Sequence, residues 1–144
     1  MTAARTSDLL AEFEVIGLPA AQGSKRHVGN GVMVEMAKGH KPWRAAVAAA
    51  AREAAPAEPI TGPLILEVDF RFAMPRSRPA AVRHRGWGPK TTAPDLDKLV
   101  RSVGDALTAG GLIRDDALIC MVAASKTEVD GWTGATIRLR RWEA

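Results

Sequence analysis

The sequence predicts an α/β domain, α+β in its arrangement: a mixed, largely antiparallel sheet with two helices on one face. Three observations predict it. The inferred element order is β, β, α, β, loop, α, β, β, which lacks the regular alternation of a parallel α/β fold. Leu64–Phe72 alternates strictly, with Leu64, Leu66, Val68, Phe70 and Phe72 on one side and Ile65, Glu67, Asp69 and Arg71 on the other. Leu96–Ala109 places Leu96, Leu99, Val100, Val103 and Leu107 on one helical stripe. With 144 residues the chain suits a single domain over 1–144, large enough to bury a core without cross-links.

The elements follow in order. Leu9–Ile16 reads as a strand, because Phe13 and Val15 alternate with Glu12 and Glu14. Gly17–Asn30 is glycine-rich and polar and reads as a loop, and Val32–Met36 as a short strand. Lys41–Ala55 reads as a helix with Pro42 in its first turn, where a missing N–H costs nothing, and Pro56 and Pro59 stop it. After the Leu64–Phe72 strand, Met74–Ala93 holds Pro75, Pro79, Gly86, Gly88 and Pro89 and reads as a long loop, a length that usually signals function. Gly110–Gly111 ends the second helix. Leu112–Asp116 is a turn, Ala117–Thr127 a strand and Thr133–Trp142 a final strand.

Composition narrows the function classes. Apolar residues make up 47% and charged residues 25%, ordinary for a globular protein. The lone Cys120 forms no internal disulfide and no zinc site; it reads as a core thiol in a reducing, intracellular setting. There is no apolar run long enough for a membrane span and no secretory signal at Met1–Leu10. His27, His40 and His84 lack metal-ligand spacing, Ser24 has no histidine–acid partner set, and Trp43, Trp132 and Trp142 read as packing residues.

The net charge is +4, and its distribution is uneven. Arg71–Arg101 holds eight of the 20 lysines and arginines but only two of the 16 acids, leaving the rest of the chain with an acidic excess. A concentrated basic block of this kind suits a polyanion. Arg76, Arg78, Arg83, Arg85 and Lys90 are candidate phosphate contacts, with Trp87 placed to stack on an unpaired base. Lys25 and Arg26, beside His27, form a second candidate contact.

The two acids inside that block are Asp95 and Asp97. If the chain is still extended there, residues two apart project to one side. Two carboxylates together repel one another unless a cation lies between them, and magnesium binds such hard oxygen ligands. The alternative is that Asp97 only caps the helix. A second pair, Asp115–Asp116, follows the helix and its turn, and a strand returning beside the sheet would bring it back toward the first pair. Spacing alone leaves open which of the two faces a metal, and a solvated turn is the other reading. Arg101 lies one helical turn after Asp97, suited to a carboxylate or a scissile phosphate, or to an ordinary surface ion pair. Asp105, a further turn on, reads as a partner of Arg101 or a supporting group.

The run PDLDKLVRSVGDALTAGGLIRDDALI, Pro94–Ile119, closely resembles the core motif of the RusA family of Holliday junction resolvases: D-L-D, a basic residue, D-A-L, a glycine turn, and D-D before an apolar strand. PAAQGSKR, Pro19–Arg26, is similar to the glycine/lysine loop of phage-type members. The resemblance implies a RusA-like fold, a homodimer, a four-way DNA junction as substrate, and magnesium as cofactor, with manganese able to substitute. It implies Asp95, Asp97 and Asp116 as metal ligands and catalytic residues, with Asp115 in support. Arg101 stands where the family has a lysine, which keeps the charge but not a titratable proton. Lys98, where asparagine is common, joins the DNA contacts. The activity implied is a crossover junction endodeoxyribonuclease of recombination, repair or phage DNA processing, in the cytoplasm of a bacterial or phage-infected cell, without membrane partners. A two-fold dimer suits it physically, since resolution needs two symmetric nicks. The alternatives are a flap or other branched-DNA nuclease and a non-catalytic DNA-binding module.

Overall fold

The computed structural model describes residues 9–21, 25–28, 32–35 and 40–143, with the backbone alone for 25–28, 32–35 and 40. The elements are β1 (Leu9–Ile16), β2 (Lys25–Val28), β3 (Val32–Glu35), α1 (His40–Ala54), β4 (Leu64–Ala73), α2 (Ala80–Arg85), β5 (Trp87–Pro89), α3 (Leu96–Ala109), β6 (Ile119–Val129) and β7 (Gly134–Arg141). Five strands form one sheet in the order β1-β7-β4-β6-β5. β4 pairs antiparallel with β7 and parallel with β6, and the other two pairings are antiparallel. The sheet is therefore mixed and mostly antiparallel, as its pattern implies.

β4 lies at the centre because one of its sides is wholly apolar. Leu64, Leu66, Val68 and Phe70 are at most 1% exposed. In register beside them on β7 lie Leu139, Ile137 and Ala135, which are also buried. α1 contributes Trp43, Val47 and Ala51 to this core, and α3 contributes Leu99, Val103, Ala106 and Leu107. Each of the larger aliphatic side chains among these contributes on the order of 1.5–3 kcal/mol by leaving water. The two helices meet closely at Gly110, where an added Cβ would lie 2.5 Å from the carbonyl oxygen of Ala48. The opposite face of the sheet is solvated and charged. There Arg138 pairs with Glu12 at 2.5 Å and with Asp69 at 3.6 Å, and Arg140 with Glu67 at 2.9 Å. Exposed pairs of this kind add little stability, but they leave the face electrostatically balanced.

Four expectations need correction. Among the described residues there are three α-helices, because Met74–Ala93 is not a structureless loop. It contains α2, which Pro79 opens and Gly86, left-handed at φ 87°, closes, and then β5. β5 has no apolar alternation of its own and is a strand only through its pairing with Thr127–Val129 of β6. Lys25–Val28, read as loop, forms a hairpin with β3. Cys120 is exposed rather than in the core. It lies on the part of β6 that β5 leaves uncovered, so an apolar run there becomes an edge strand.

Candidate active site

The crossover from β4 to β6 positions the acidic residues. Its last leg is α3, whose Asp95 stands extended at the N-cap position, its carbonyl accepting the Leu99 N–H at 3.1 Å. The Asp95 side chain makes no capping hydrogen bond. It is 64% exposed, and its Oδ2 lies 3.8 Å from Lys98 Nζ. Asp97 is in the first turn of α3 and exposed, and it makes no hydrogen bond or ion pair with any described residue. Capping therefore accounts for neither carboxylate. Both sit where the helix dipole favours negative charge, with their oxygens available.

Asp97 also lines a recess of about 560 Å³ with Leu96, Val100, Val122 and Ala124, between α3 and β6. Arg101 follows on the same helical face, exposed and unpaired among the described residues; it bonds to neither Asp97 nor Asp105. The alternative reading, an ordinary surface ion pair, has no counterpart among the described residues, which leaves the guanidinium open to solvent.

The turn after α3 is pinned to the segment before β4. Ile60 N–H donates to Leu112 O at 2.9 Å and Arg114 N–H to Ile60 O at 3.0 Å. Asp115 and Asp116 follow at the start of a short 3-10 turn, where the Asp115 side chain accepts the Ala117 N–H at 2.9 Å. Asp116 packs over Gly104 of α3: a Cβ added at Gly104 would meet the Asp116 Cβ at 3.5 Å and Oδ2 at 3.8 Å. The hydrogen bond that the protonated Asp116 carboxyl donates to Asp115, partial burial, and the negative charges of Asp105 and Asp115 push the Asp116 carboxyl above the ordinary aspartate value. Asp115 moves the opposite way, held down by the Ala117 amide and then by Asp116.

The structure thus brings Asp105, Asp115 and Asp116 together and sets Asp95 and Asp97 nearer the start of the same helix. Asp97 and Gly104 are about 10 Å apart along the axis at ~1.5 Å rise per residue. Among the described residues no three histidine, cysteine, aspartate or glutamate side chains lie close enough to hold a metal ion. The donor chemistry nonetheless fits a hard divalent cation. All the groups are carboxylate oxygens, all but the half-buried Asp105 are exposed, and the crowding of like charge around Asp116 is the situation a cation relieves.

The basic segment adjoins the Asp95 end. Arg76 and Arg83 line a recess of about 370 Å³ with Met74, Pro75 and Asp130. Trp87 is 53% exposed, with the Arg85 guanidinium stacked 4.6 Å from its ring centre. Lys90 donates from Nζ to Thr92 Oγ1 at 3.0 Å, so it braces the segment leading to Asp95. Arg78 is turned inward and pairs with Glu128, at 2.6 Å from Nε to Oε1. The side chains of Lys25 and Arg26 lie outside the described residues, as does Ser24. Sequence reasoning missed Glu128 and Lys126, both on β6. The only signal for them was the placement of charges on the side of the strand that faces the core.

Comparison with known proteins agrees with this architecture. The chain is 33% identical over 123 residues to an uncharacterized protein, YqaN, of Bacillus subtilis (strain 168), an alignment covering 80% of this chain and 85% of that one. The family described as endodeoxyribonuclease RusA matches residues 17–140, which include the basic segment, α3 and both aspartate pairs. The chain belongs to the RusA endodeoxyribonuclease family.

Proposed function

We propose that this protein is a Holliday junction resolvase, a magnesium-dependent endonuclease that nicks four-way DNA junctions symmetrically as a homodimer in the cytoplasm. The observation that carries this reading is the pair Asp95–Asp97: two exposed carboxylates at a helix start, neither used for capping, beside a segment with exposed Arg76, Arg83, Arg85 and Trp87. Carboxylates alone would repel DNA, and a basic segment alone would only bind it. Their adjacency suits hydrolysis of a phosphodiester.

In this reading Asp95, Asp97 and Asp116 would hold the divalent ion, with Asp115 fixing Asp116. When bound, the ion supplies Lewis-acid chemistry: activation of water and neutralisation of charge on the phosphate. The protein's own groups do the rest. Arg76, Arg83 and Lys98 bring phosphates to the acidic groups, and the open face of Trp87 offers a stacking surface to an unpaired base. Arg101, unpaired and one turn from Asp97, stabilises charge that builds on the phosphate.

The test is incubation of the protein with labelled four-way junction, flap and linear duplex DNA, in magnesium and in EDTA. Paired symmetric nicks in the junction alone, lost in EDTA, are expected. Equal cutting of flap and junction would assign a broader branched-DNA nuclease. Metal-independent binding without cleavage would reject catalysis.

A further inference from the structure

Lys126 stands in register with Phe70 of β4, on the core-facing side of the sheet. An ammonium there loses part of its water and must find acceptors for its three N–H groups. It finds two of them in the segment that delivers the aspartates. Its Nζ donates to Thr92 O at 2.8 Å and to Pro94 O at 2.7 Å. The carbonyl of Lys126 in turn accepts the Lys90 N–H at 3.1 Å, and Lys90 Nζ holds Thr92 Oγ1. Residues 90–94 are therefore wrapped around one lysine, and Pro94 is bonded directly to Asp95. Among the described residues, Lys90 and Lys126 are the only side chains that donate hydrogen bonds into residues 92–94.

We infer that Lys126 is a positioning residue, whose ammonium clamps the carbonyls of Thr92 and Pro94 so that Asp95 and Asp97 are held ready for a divalent ion. The inference rests on the proposed function only through the metal-binding role of those two aspartates. The amine is committed to peptide carbonyls, so it acts through the loop and not on the phosphate. A lysine serving stability alone would matter to unfolding and not to metal affinity. Outer supports of metal ligands typically alter affinity or activity by roughly 10–100-fold.

The test is manganese binding by calorimetry without DNA, combined with single-turnover junction cleavage over a range of magnesium. Lys126→Met is expected to bind manganese about 10–100-fold more weakly. It should cut slowly at low magnesium, regain rate as magnesium rises, and bind junctions normally in EDTA. Lys126→Arg, which keeps charged donors, is expected to recover much of the loss. Manganese affinity in Lys126→Met equal to wild type would overturn the inference. So would weakened manganese binding accompanied by lost junction binding in EDTA, which marks general disruption. If Lys126→Met does not fold, Lys126→Gln is judged by the same criteria. A wild-type protein that binds manganese but cuts no junction rejects the resolvase reading while the manganese comparison still decides this one. A wild-type protein that binds no manganese overturns both.

Discussion

The guanidinium of Arg78 grips Glu128 with two parallel hydrogen bonds, Nε to Oε1 at 2.6 Å and Nη2 to Oε2 at 2.8 Å, and the Glu128 side chain is only 3% exposed. This fork ties the α2–β5 segment, and so the basic surface, onto β6. The contact with Arg78 holds the Glu128 carboxyl below the ordinary glutamate value of 4.5. A depressed carboxyl contributes stability that is present above the unfolded value and lost as pH falls through the folded one. Arg78→Ala should therefore lower the thermal midpoint at neutral pH, because it strands a buried carboxylate, and the deficit should shrink below pH 4.5. Arg78→Ala with Glu128→Gln should be milder than Arg78→Ala alone. Thermal melts of the two variants across pH check both points.

Asp95→Asn, Asp97→Asn and Asp116→Asn should each nearly abolish cleavage while junction binding holds or tightens, since each removes negative charge from the path of a phosphate. Near-normal cleavage by any one of them in magnesium would remove that residue from the ligand set. Asp116→Asn carries a second expectation. A raised carboxyl contributes stability below the unfolded value and loses it as pH climbs through the folded one. Metal-free Asp116→Asn should therefore be more stable than wild type at neutral pH and level with it in acid, as read by denaturant melts.

Arg101→Lys should keep substantial activity, because the unpaired side chain supplies charge and not a titratable proton. Arg101→Ala should lose on the order of ten- to a thousand-fold in single-turnover rate, the scale of a preorganised electrostatic contact. Alanine at wild-type rate would make Arg101 a bystander, and lysine as poor as alanine would show that the guanidinium fork is required.

Arg76→Ala with Arg83→Ala should weaken junction binding and flatten its salt dependence by about one unit of slope per lost phosphate contact. Binding titrations over a range of salt concentrations measure it, and an unchanged slope would detach the recess between these arginines from DNA.

Gly110→Ala should destabilise the fold by about 1–3 kcal/mol, the scale of overpacking, because the added methyl meets the Ala48 carbonyl oxygen at 2.5 Å and the Ala51 Cβ at 2.9 Å. Urea unfolding measures the loss. A neutral result would mean that α1 and α3 can separate freely at their crossing.

Much of the fold was legible where one physical signal acts alone. Leu96–Ala109 is a helix with the boundaries its apolar stripe and terminal glycines mark, and Leu9–Ile16 is a strand with the boundaries its alternation marks. Legibility failed where partners decide. Trp87–Pro89 pairs because Thr127–Val129 lies beside it, and Cys120 is exposed on the stretch of β6 that β5 does not pair with. Hydropathy tells which residues would favour burial and not whether a neighbour arrives to bury them. At the site, the aspartates and the basic block stand out as residue types. The nearness of Asp116 to Gly104 and Asp105, and the grip of Lys126 on Thr92 and Pro94, come only with the crossover that folds β6 back beside α3.

The position of β7 between β1 and β4 has a consequence for how the protein is made. β7 is the last described strand to leave the ribosome, yet it is hydrogen-bonded on both sides. At roughly 5–20 residues per second, the earlier strands wait several seconds for it. During that wait β1 has no neighbour in the sheet, and the apolar side of β4 lacks Ala135, Ile137 and Leu139. Pairings such as Leu9 with Arg140 close nearly the whole described chain into a loop, the kind of long-range contact that slows folding, and the sheet completes only after residues 134–141 emerge. A ribosome stalled before Gly134 would hold a collapsed chain with two open strand edges, a substrate for chaperones and proteases and not a partly working nuclease.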